Sequence, residues 1–516
     1  MSASAWPAGR QRRHLSPSLA PGSILALCWA RTAPANRPQS ILFGHYVADS
    51  GDVLVNGKPL PPGDPAAALA GGIGMVHQHF ALAENLSVLE NIIAGTRGLF
   101  GLRLRRAQAR QKLLQTASRF GLHVDPDLVV GELSMGERQR VEILKALYRG
   151  ATLLILDEPT AVLTPQESES LFATLAQLVE QGLSIIFISH KLDEVMRVAD
   201  RIVVLRAGRL VADWPRALAD RQLLAETMVG SQVPHVHRDA SPLANSAEVV
   251  CRLVDVSLLD ARRRPRLSRV GFDVHRGEIL AIAGVSGNGQ QALADVLCGI
   301  HAIAQGRFEV DGKPMRADPR ALLAAGVARV PEDRHGVGVV GELPVWENAV
   351  LEQYRSPRFS YPGWLGGWLR RRRIRAFAAA LVQRLDVRGL EDQGLATPTR
   401  SLSGGNMQKL ILGRALSGNG RSLAEPAPPP VLIVANQPTW GLDVGAVAAI
   451  HQQLIDAADA GSAIVLISED LEEVFAIADT VAVIHAGRLS LPRPTRQWSM
   501  AEIGAAMSGM GDAHAA

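Results

Sequence analysis

The chain contains one pattern twice, and two copies of a pattern are obliged to make two copies of a fold. GDVLVNGKPL at Gly51–Leu60 matches GRFEVDGKPM at Gly306–Met315, and NLSVLENI from Asn85 matches ELPVWENA from Glu342. The order then holds to the end. LSMGERQR from Leu133 pairs with LSGGNMQK from Leu402, and LLILDEPTAVL from Leu153 with VLIVANQPTWGL from Val431. IIFISHKLDEV from Ile185 pairs with AIVLISEDLEEV from Ala463, and RIVVLRAGRL from Arg201 with TVAVIHAGRL from Thr480. A polar stretch with Pro234 and Pro242 separates the copies, so the expected organisation is a first domain over 1–234, a linker over 235–247 and a second domain over 248–516.

Composition limits what those domains can be. With 47% hydrophobic and 20% charged residues the chain is not a disordered one. Its apolar runs fall short of the ~18 residues a spanning helix needs, and Gly22–Ala30 is short and followed by Arg31. Cys28, Cys251 and Cys298 are scattered, which gives neither a disulfide framework nor metal-ligand spacing and points to a reducing cytoplasm. The net charge of +4, from 54 basic and 50 acidic residues, gives nucleic-acid binding little support. Arg370–Arg373 with Trp364 and Trp368 reads first as a solvated face rather than a lipid-binding or partner-binding one.

Within each copy, β-branched runs (Leu153–Leu156, Ile185–Ile188, Arg201–Leu205) alternate with helical stretches such as Gln166–Val179, the pattern of an α/β unit with a largely parallel sheet. NGRSLAEPAPPP, from Asn419, lengthens the second copy and reads as a surface loop because its prolines suit neither helix interior nor central strand.

Several segments carry chemistry. An apolar strand runs into Asp157 and Glu158, and adjacent carboxylates at a strand end suit Mg²⁺ binding and polarisation of an attacking water, although they also suit capping of a following helix. Gln78 follows the hydrophobic strand Ile73–Val76, and His190 ends another, Ser184–Ser189. His77 and His79 flank Gln78 with no acidic partner nearby in sequence, which argues against a metal pair. Ser134 and Gly136 in one copy, and Ser403, Gly404 and Gly405 in the other, open helices with a hydroxyl and bare amides. That is an anion site, or more blandly an N-cap.

These segments in tandem order resemble the ATP-binding subunits of ATP-binding cassette (ABC) importers over roughly residues 40–510. HQHF at His77, PEDR at Pro331, GVSGNGQ at Gly284 and QPTWGLDVGA at Gln437 resemble the simple-sugar and nucleoside branch. The resemblance implies two P-loop NTPase (RecA-like) nucleotide-binding domains, each with an antiparallel β subdomain and a helical signature subdomain. It also implies ATP and Mg²⁺ as cofactors, two transmembrane permease subunits and, indirectly, an extracytoplasmic substrate-binding protein as partners, no nucleic acid, and a place on the cytoplasmic face of the inner membrane.

In this family each nucleotide lies between one cassette's phosphate loop and the other's Ser-Gly signature, so the sites score crosswise. One combines Gly284, Gly287 and Gly289 with Ser134 and Gly136. There Gln290 and Gln291 replace the Lys and Ser/Thr of GxxxxGK[ST], Asn436 and Gln437 replace Asp157 and Glu158, and Glu469 replaces His190. Hydrolysis is not expected at this site. The other combines Gln78, Asp157 (both as Mg²⁺ ligands, partly through water), Glu158 and His190 as catalytic residues, and Ser403, Gly404 and Gly405.

Its phosphate loop is missing. Against Gly277–Gly299 of the second copy, the first reads GSILALCWARTAPANRPQSILFG from Gly22 to Gly44, with no GxxxxGK[ST]. The flanks match without a gap, which a shifted reading frame explains: one base earlier, codons for Cys28–Pro38 permit GENGAGKST. Residues 1–21 lack the expected strands and adenine-stacking aromatic, as an out-of-frame segment or a poorly ordered tail would. Weak or absent ATP hydrolysis follows for the chain as written. The competing readings are an inactive pseudoenzyme or decayed gene product, and a soluble tandem-cassette ATPase acting on ribosomes or nucleic acid, a class that usually keeps two competent sites and a long charged linker. The coding DNA is expected to spell the glycine-rich run in the shifted frame; sequencing that finds none there removes the frame-shift account.

Overall fold

The computed structural model describes residues 2–4, 18–29, 38–48, 50–77, 80–95, 106–160, 163, 165–189, 191–206, 209–229, 236–238, 248–260, 262–285, 287–361, 368–390, 393–418, 428–507 and 509. Gln78, His79, His190, Trp364, the stretch 30–37 in place of the first phosphate loop, most of 235–247 and most of NGRSLAEPAPPP lie outside them. The chain divides into two compact units, one ending at Val233 and the other running from Pro234 to Ala516.

Each unit is built on a sheet of the same order. In the first, the neighbours run Arg209–Pro215, Arg201–Arg206, Ile24–Trp29, Ser184–Ile188, Leu153–Asp157 and Ile73–Val76. In the second they run Arg488–Leu489, Thr480–His485, Ile279–Ala283, Ala463–Ser468, Leu432–Asn436 and Val327–Val330. All these pairs are parallel except Arg201–Arg206 with Arg209–Pro215 and Thr480–His485 with Arg488–Leu489. The repeat survives to the level of register: Ile24 opposes Ile185 as Ile279 opposes Ile464, and Ile73 opposes Leu153 as Val327 opposes Leu432. The Ile24–Trp29 strand therefore sits where the phosphate-loop strand of the second copy sits, although the sequence after it diverges.

Burial of both faces dictates the strand composition. Alternate residues Leu154, Leu156, Ile185 and Phe187 enter one apolar cluster, and Leu153, Ile155, Ile186 and Ile188 enter another. The second unit repeats this, with Ile433, Ala435, Ile464 and Leu466 on one side and Leu432, Val434, Val465 and Ile467 on the other. A parallel strand covered on both faces has no polar side to show, so it reads as an unbroken apolar run.

The units differ in their antiparallel parts. The second has a four-stranded sheet in which the long strands Val249–Leu259 and Pro265–His275 pair, with Gln305–Val310 and Lys313–Pro314 beyond. In the first, the described residues give two two-stranded pieces, Leu54–Val55 with Lys58–Pro59 and Ser2–Ser4 with Ser50–Asp52. Residues 1–21 carry none of the alternating apolar pattern of Val249–His275 in their sequence. The Ser2–Ser4 strand was nonetheless not expected. It adds to an open edge whose residues Ser50–Asp52 are exposed, and edge pairing needs only free main-chain groups.

A helical part follows in each unit: Val88–Ile93, Arg106–Phe120 and Met135–Tyr148 in the first, Val345–Asn348, Arg371–Arg384 and Gly404–Leu416 in the second. Within the expected linker, Arg238 is buried against the second unit, where it donates to Gly277 O at 2.8 Å and pairs with Asp479 at 3.3 Å. Phe187→Ala, at a fully buried position, is expected to cost about 3–5 kcal/mol in urea unfolding, whereas Leu218→Ala, 68% exposed, is expected to stay within about 0.5 kcal/mol.

Candidate functional site

In a parallel sheet every strand ends on the same side, so the polar residues that follow the strands gather there. Asp157 closes the Leu153–Asp157 strand, is 5% exposed, and accepts from Gln39 Nε2 at 3.1 Å. Gln39 is fully buried in the short helix Pro38–Leu42, and its Oε1 has no hydrogen-bond partner among the described residues. Glu158 then takes a left-handed conformation, φ 48°, while its N–H donates to Ile188 O at 2.9 Å. A non-glycine residue at positive φ is strained, and strain held by a neighbouring strand is found at functional sites. Gln437 repeats the geometry, with φ 49° and its N–H donating to Ile467 O at 2.8 Å.

A residue overlooked in the sequence holds this turn. Glu194 accepts from Thr160 Oγ1 at 2.6 Å and from Ser189 Oγ at 2.9 Å, and so ties the segment after Glu158 to the residue before His190. Glu473, 2% exposed, does the same in the second copy through Thr439 at 2.9 Å and Ser468 at 2.6 Å, with His451 Nε2 at 3.0 Å. Both are positioning residues. The signal was a Glu at the same place in both copies, SHKLDE against SEDLEE. Asn91 and Asn348 are a second such pair: each grips the segment following the Gln78 or Glu332 position, Asn91 at Ala83 and Asn348 at Val340.

Next to the Gln78 position, the electrostatics differ between copies. His77 is held below the usual imidazole range, by burial first and then by the His45 ring stacked on it at 5.8 Å. It is therefore a neutral group at pH 7. Glu332 occupies the place of Gln78 in the second copy, and burial together with neighbouring Asp333 holds its carboxyl above the usual range.

The two signature segments are not equivalent. Ser134 is an N-cap with a complete capping box: its N–H donates to Glu137 Oε2 at 2.9 Å and its hydroxyl accepts from Glu137 N at 3.3 Å. Gly136 N–H already donates to Glu167 Oε1 at 3.0 Å. Two carboxylates therefore sit at this helix N-terminus, and they oppose an incoming phosphate. In the second copy Ser403 is the N-cap, its hydroxyl accepting from the neutral Asn406 Nδ2 at 2.9 Å, and the buried Arg334 stands beside the glycines: a Cβ on Gly404 would lie 2.9 Å from Arg334 Nη1. A hydroxyl, bare amides and a guanidinium favour an anion. Of the two, the Ser403–Gly405 end is the one suited to phosphate.

The second copy's phosphate loop is formed. Gly287 and Gly289 adopt φ of 90° and 115°, and a Cβ on Gly284 would stand 2.6 Å from Ile484 Cγ2. The loop leads into the helix Gln290–Leu297. Gln290 folds back so that its Nε2 donates to Val285 O at 2.5 Å, and Gln291 meets Asn436 Nδ2 at 2.9 Å. The region brings Asn436, Gln437 and the loop together, as it brings Asp157, Glu158 and Gln39 together in the first copy. Trp368 is 72% exposed, and Arg370 lies over the Tyr361 ring at 4.3 Å.

The ABC transporter family model matches residues 39–161 and 267–423. The chain is 40% identical to the glucose import ATP-binding protein TsgD13 of Haloferax volcanii, over 99% of this chain and 95% of that one. It is also 40% identical to the nucleoside import ATP-binding protein NupA of Lactococcus lactis, over 91% and 89%, and 36% identical to the guanosine import ATP-binding protein NupO of Bacillus subtilis, over 95% and 92%. Among solved structures, an RNase-L inhibitor matches 98% of this chain and 92% of its own with TM-score 0.62 at 17% identity, a likeness of fold alone. With two matched cassettes and full-length relatives of this kind, the chain belongs to the ABC transporter family, as a tandem ATP-binding subunit.

Proposed function

We propose that this protein couples ATP to import of a simple sugar or nucleoside, working on the cytoplasmic face of the inner membrane with two permease subunits and, through them, an extracytoplasmic substrate-binding protein. The observation that carries the reading is the unequal chemistry of two otherwise superimposable strand ends, Asp157-Glu158 in one copy and Asn436-Gln437 in the other. Only the first can do acid–base work. The names of the relatives, which are import proteins for glucose, nucleosides and guanosine, support the substrate class.

In this mechanism Glu158 orients or deprotonates the attacking water, and the strained turn held by Glu194 keeps it in place. His190 contacts the γ-phosphate. Ser403, Gly404 and Gly405 with Arg334 supply the anion-binding end that stabilises charge on the transferred group. Asp157 supplies the buried carboxylate that Mg²⁺ asks for and the second copy lacks, with Gln78 as the other candidate ligand. When bound there, the cation would offset phosphate charge. ATP binding would draw the cassettes together, and hydrolysis would release them.

A second reading, an inactive pseudoenzyme, is favoured by one feature: the first copy has no GxxxxGK[ST]. A chain with GENGAGKST restored separates the two. It is expected to hydrolyse ATP, with Glu158→Gln lowering turnover by about 100-fold or more while ATP binding is kept. A restored chain that still binds and hydrolyses no ATP would end the coupling proposal.

A further inference from the structure

We propose that the second cassette's phosphate loop seats a nucleotide without a divalent metal ion. This rests on reading the chain as a nucleotide-binding subunit, and it concerns how that degenerate loop holds its ligand.

The argument begins with the pair that would flank a cation. The position of the metal-side carboxylate is Asn436, 3% exposed, at the end of the Leu432–Asn436 strand. The position of the loop hydroxyl is Gln291. The direction of each amide is fixed by its neighbours. Asp295 Oδ1 lies 2.8 Å from Gln291 Nε2, and a carboxylate only accepts, so Gln291 must present its oxygen to Asn436. Asn436 Nδ2 donates to that oxygen at 2.9 Å. The two groups are thus bonded to each other: the Gln291 oxygen is taken up by Asn436, and an N–H of Asn436 stands where the first copy has a carboxylate.

Mg²⁺ asks for a near-octahedral oxygen shell at about 2.0–2.1 Å and usually takes one or two carboxylates. A locked carboxamide pair supplies neither the charge nor free oxygens on both partners. The residues present do not fit the ion.

The loop compensates for the missing lysine in a neutral way. Gln290 is 5% exposed and closes the loop through its bond to Val285 O at 2.5 Å, which fixes Nε2 as the donor. Its Oε1, like Asn436 Oδ1, is buried without a hydrogen-bond partner among the described residues. Two orphaned buried acceptors in a formed loop mark a site built to be completed by donors, such as ligand-borne or water O–H groups. Attraction for phosphate then comes from the main-chain N–H groups at the N-terminus of Gln290–Leu297, with no point charge that scales with the number of ligand phosphates. Diphosphate and triphosphate should bind alike.

The chain as it exists isolates this loop, because its first copy has no GxxxxGK[ST]. Equilibrium dialysis of the full chain with radiolabelled ATP and ADP, in Mg²⁺ or in EDTA, is expected to give dissociation constants within about twofold of one another in all four conditions. Loosening of ATP binding by about tenfold or more in EDTA overturns the proposal. That comparison also exposes any cation recruited by Glu332. Gln291→Thr with Asn436→Asp restores a hydroxyl and a carboxylate and is expected to make ATP bind about tenfold tighter in Mg²⁺ than in EDTA. A folded double variant with no metal dependence counts against the carboxamide pair as the cause. If neither nucleotide binds in either buffer, the nucleotide-binding reading of this loop itself fails, a result distinct from metal dependence.

Discussion

Burial of a parallel sheet on both faces is the constraint on which everything else rests. Strands such as Leu153–Asp157 and Leu432–Asn436 have no solvent side, so a polar residue is tolerated only where a strand runs out. Because the strands are parallel, they run out together. Asp157, the turn after Ile188 and the segment after Val76 are thereby delivered to one end of the first sheet, and Asn436, Ser468 and Glu332 to one end of the second. The site follows from the way the core is covered.

The same scaffold then carries two different chemistries. Main-chain geometry at Glu158 and Gln437 is the same, and in both copies a Glu, Glu194 or Glu473, ties the turn to the end of the neighbouring strand. What differs is charge. A carboxylate pair in one copy corresponds to a carboxamide pair in the other, and the two signature helices begin in opposite electrostatic surroundings, Glu137 and Glu167 at one and Arg334 at the other. The scaffold has been kept in both copies while the reactive groups were kept in one.

Much of this was legible in the sequence because a repeat lets each copy interpret the other. The strands, their order and the paired losses at Gln290, Gln291, Asn436 and Gln437 could all be read by aligning the chain with itself. Glu194 and Glu473 were equally visible but unremarkable, since a Glu in the first turn of a helix is ordinary until its partners are known. Glu167 and Arg334 could not be assigned, as each lies far along the chain from the glycines it serves. Ser134 shows the ambiguity in miniature: its sequence suits an anion site or a cap, and the structure shows the cap, with the carboxylates of Glu137 and Glu167 beside it.

The sequence alone thus determined the family, the duplication and which copy retains reactive side chains, because those are properties of residue type and order. Tertiary structure decided the polarity of each site. It set the direction of the Gln291 and Asn436 amides through Asp295, the strain at Glu158 through Ile188, and the charge around each signature through residues distant in sequence. Hydrogen-bond direction and local field depend on what is brought near in space, and one-dimensional order does not contain that.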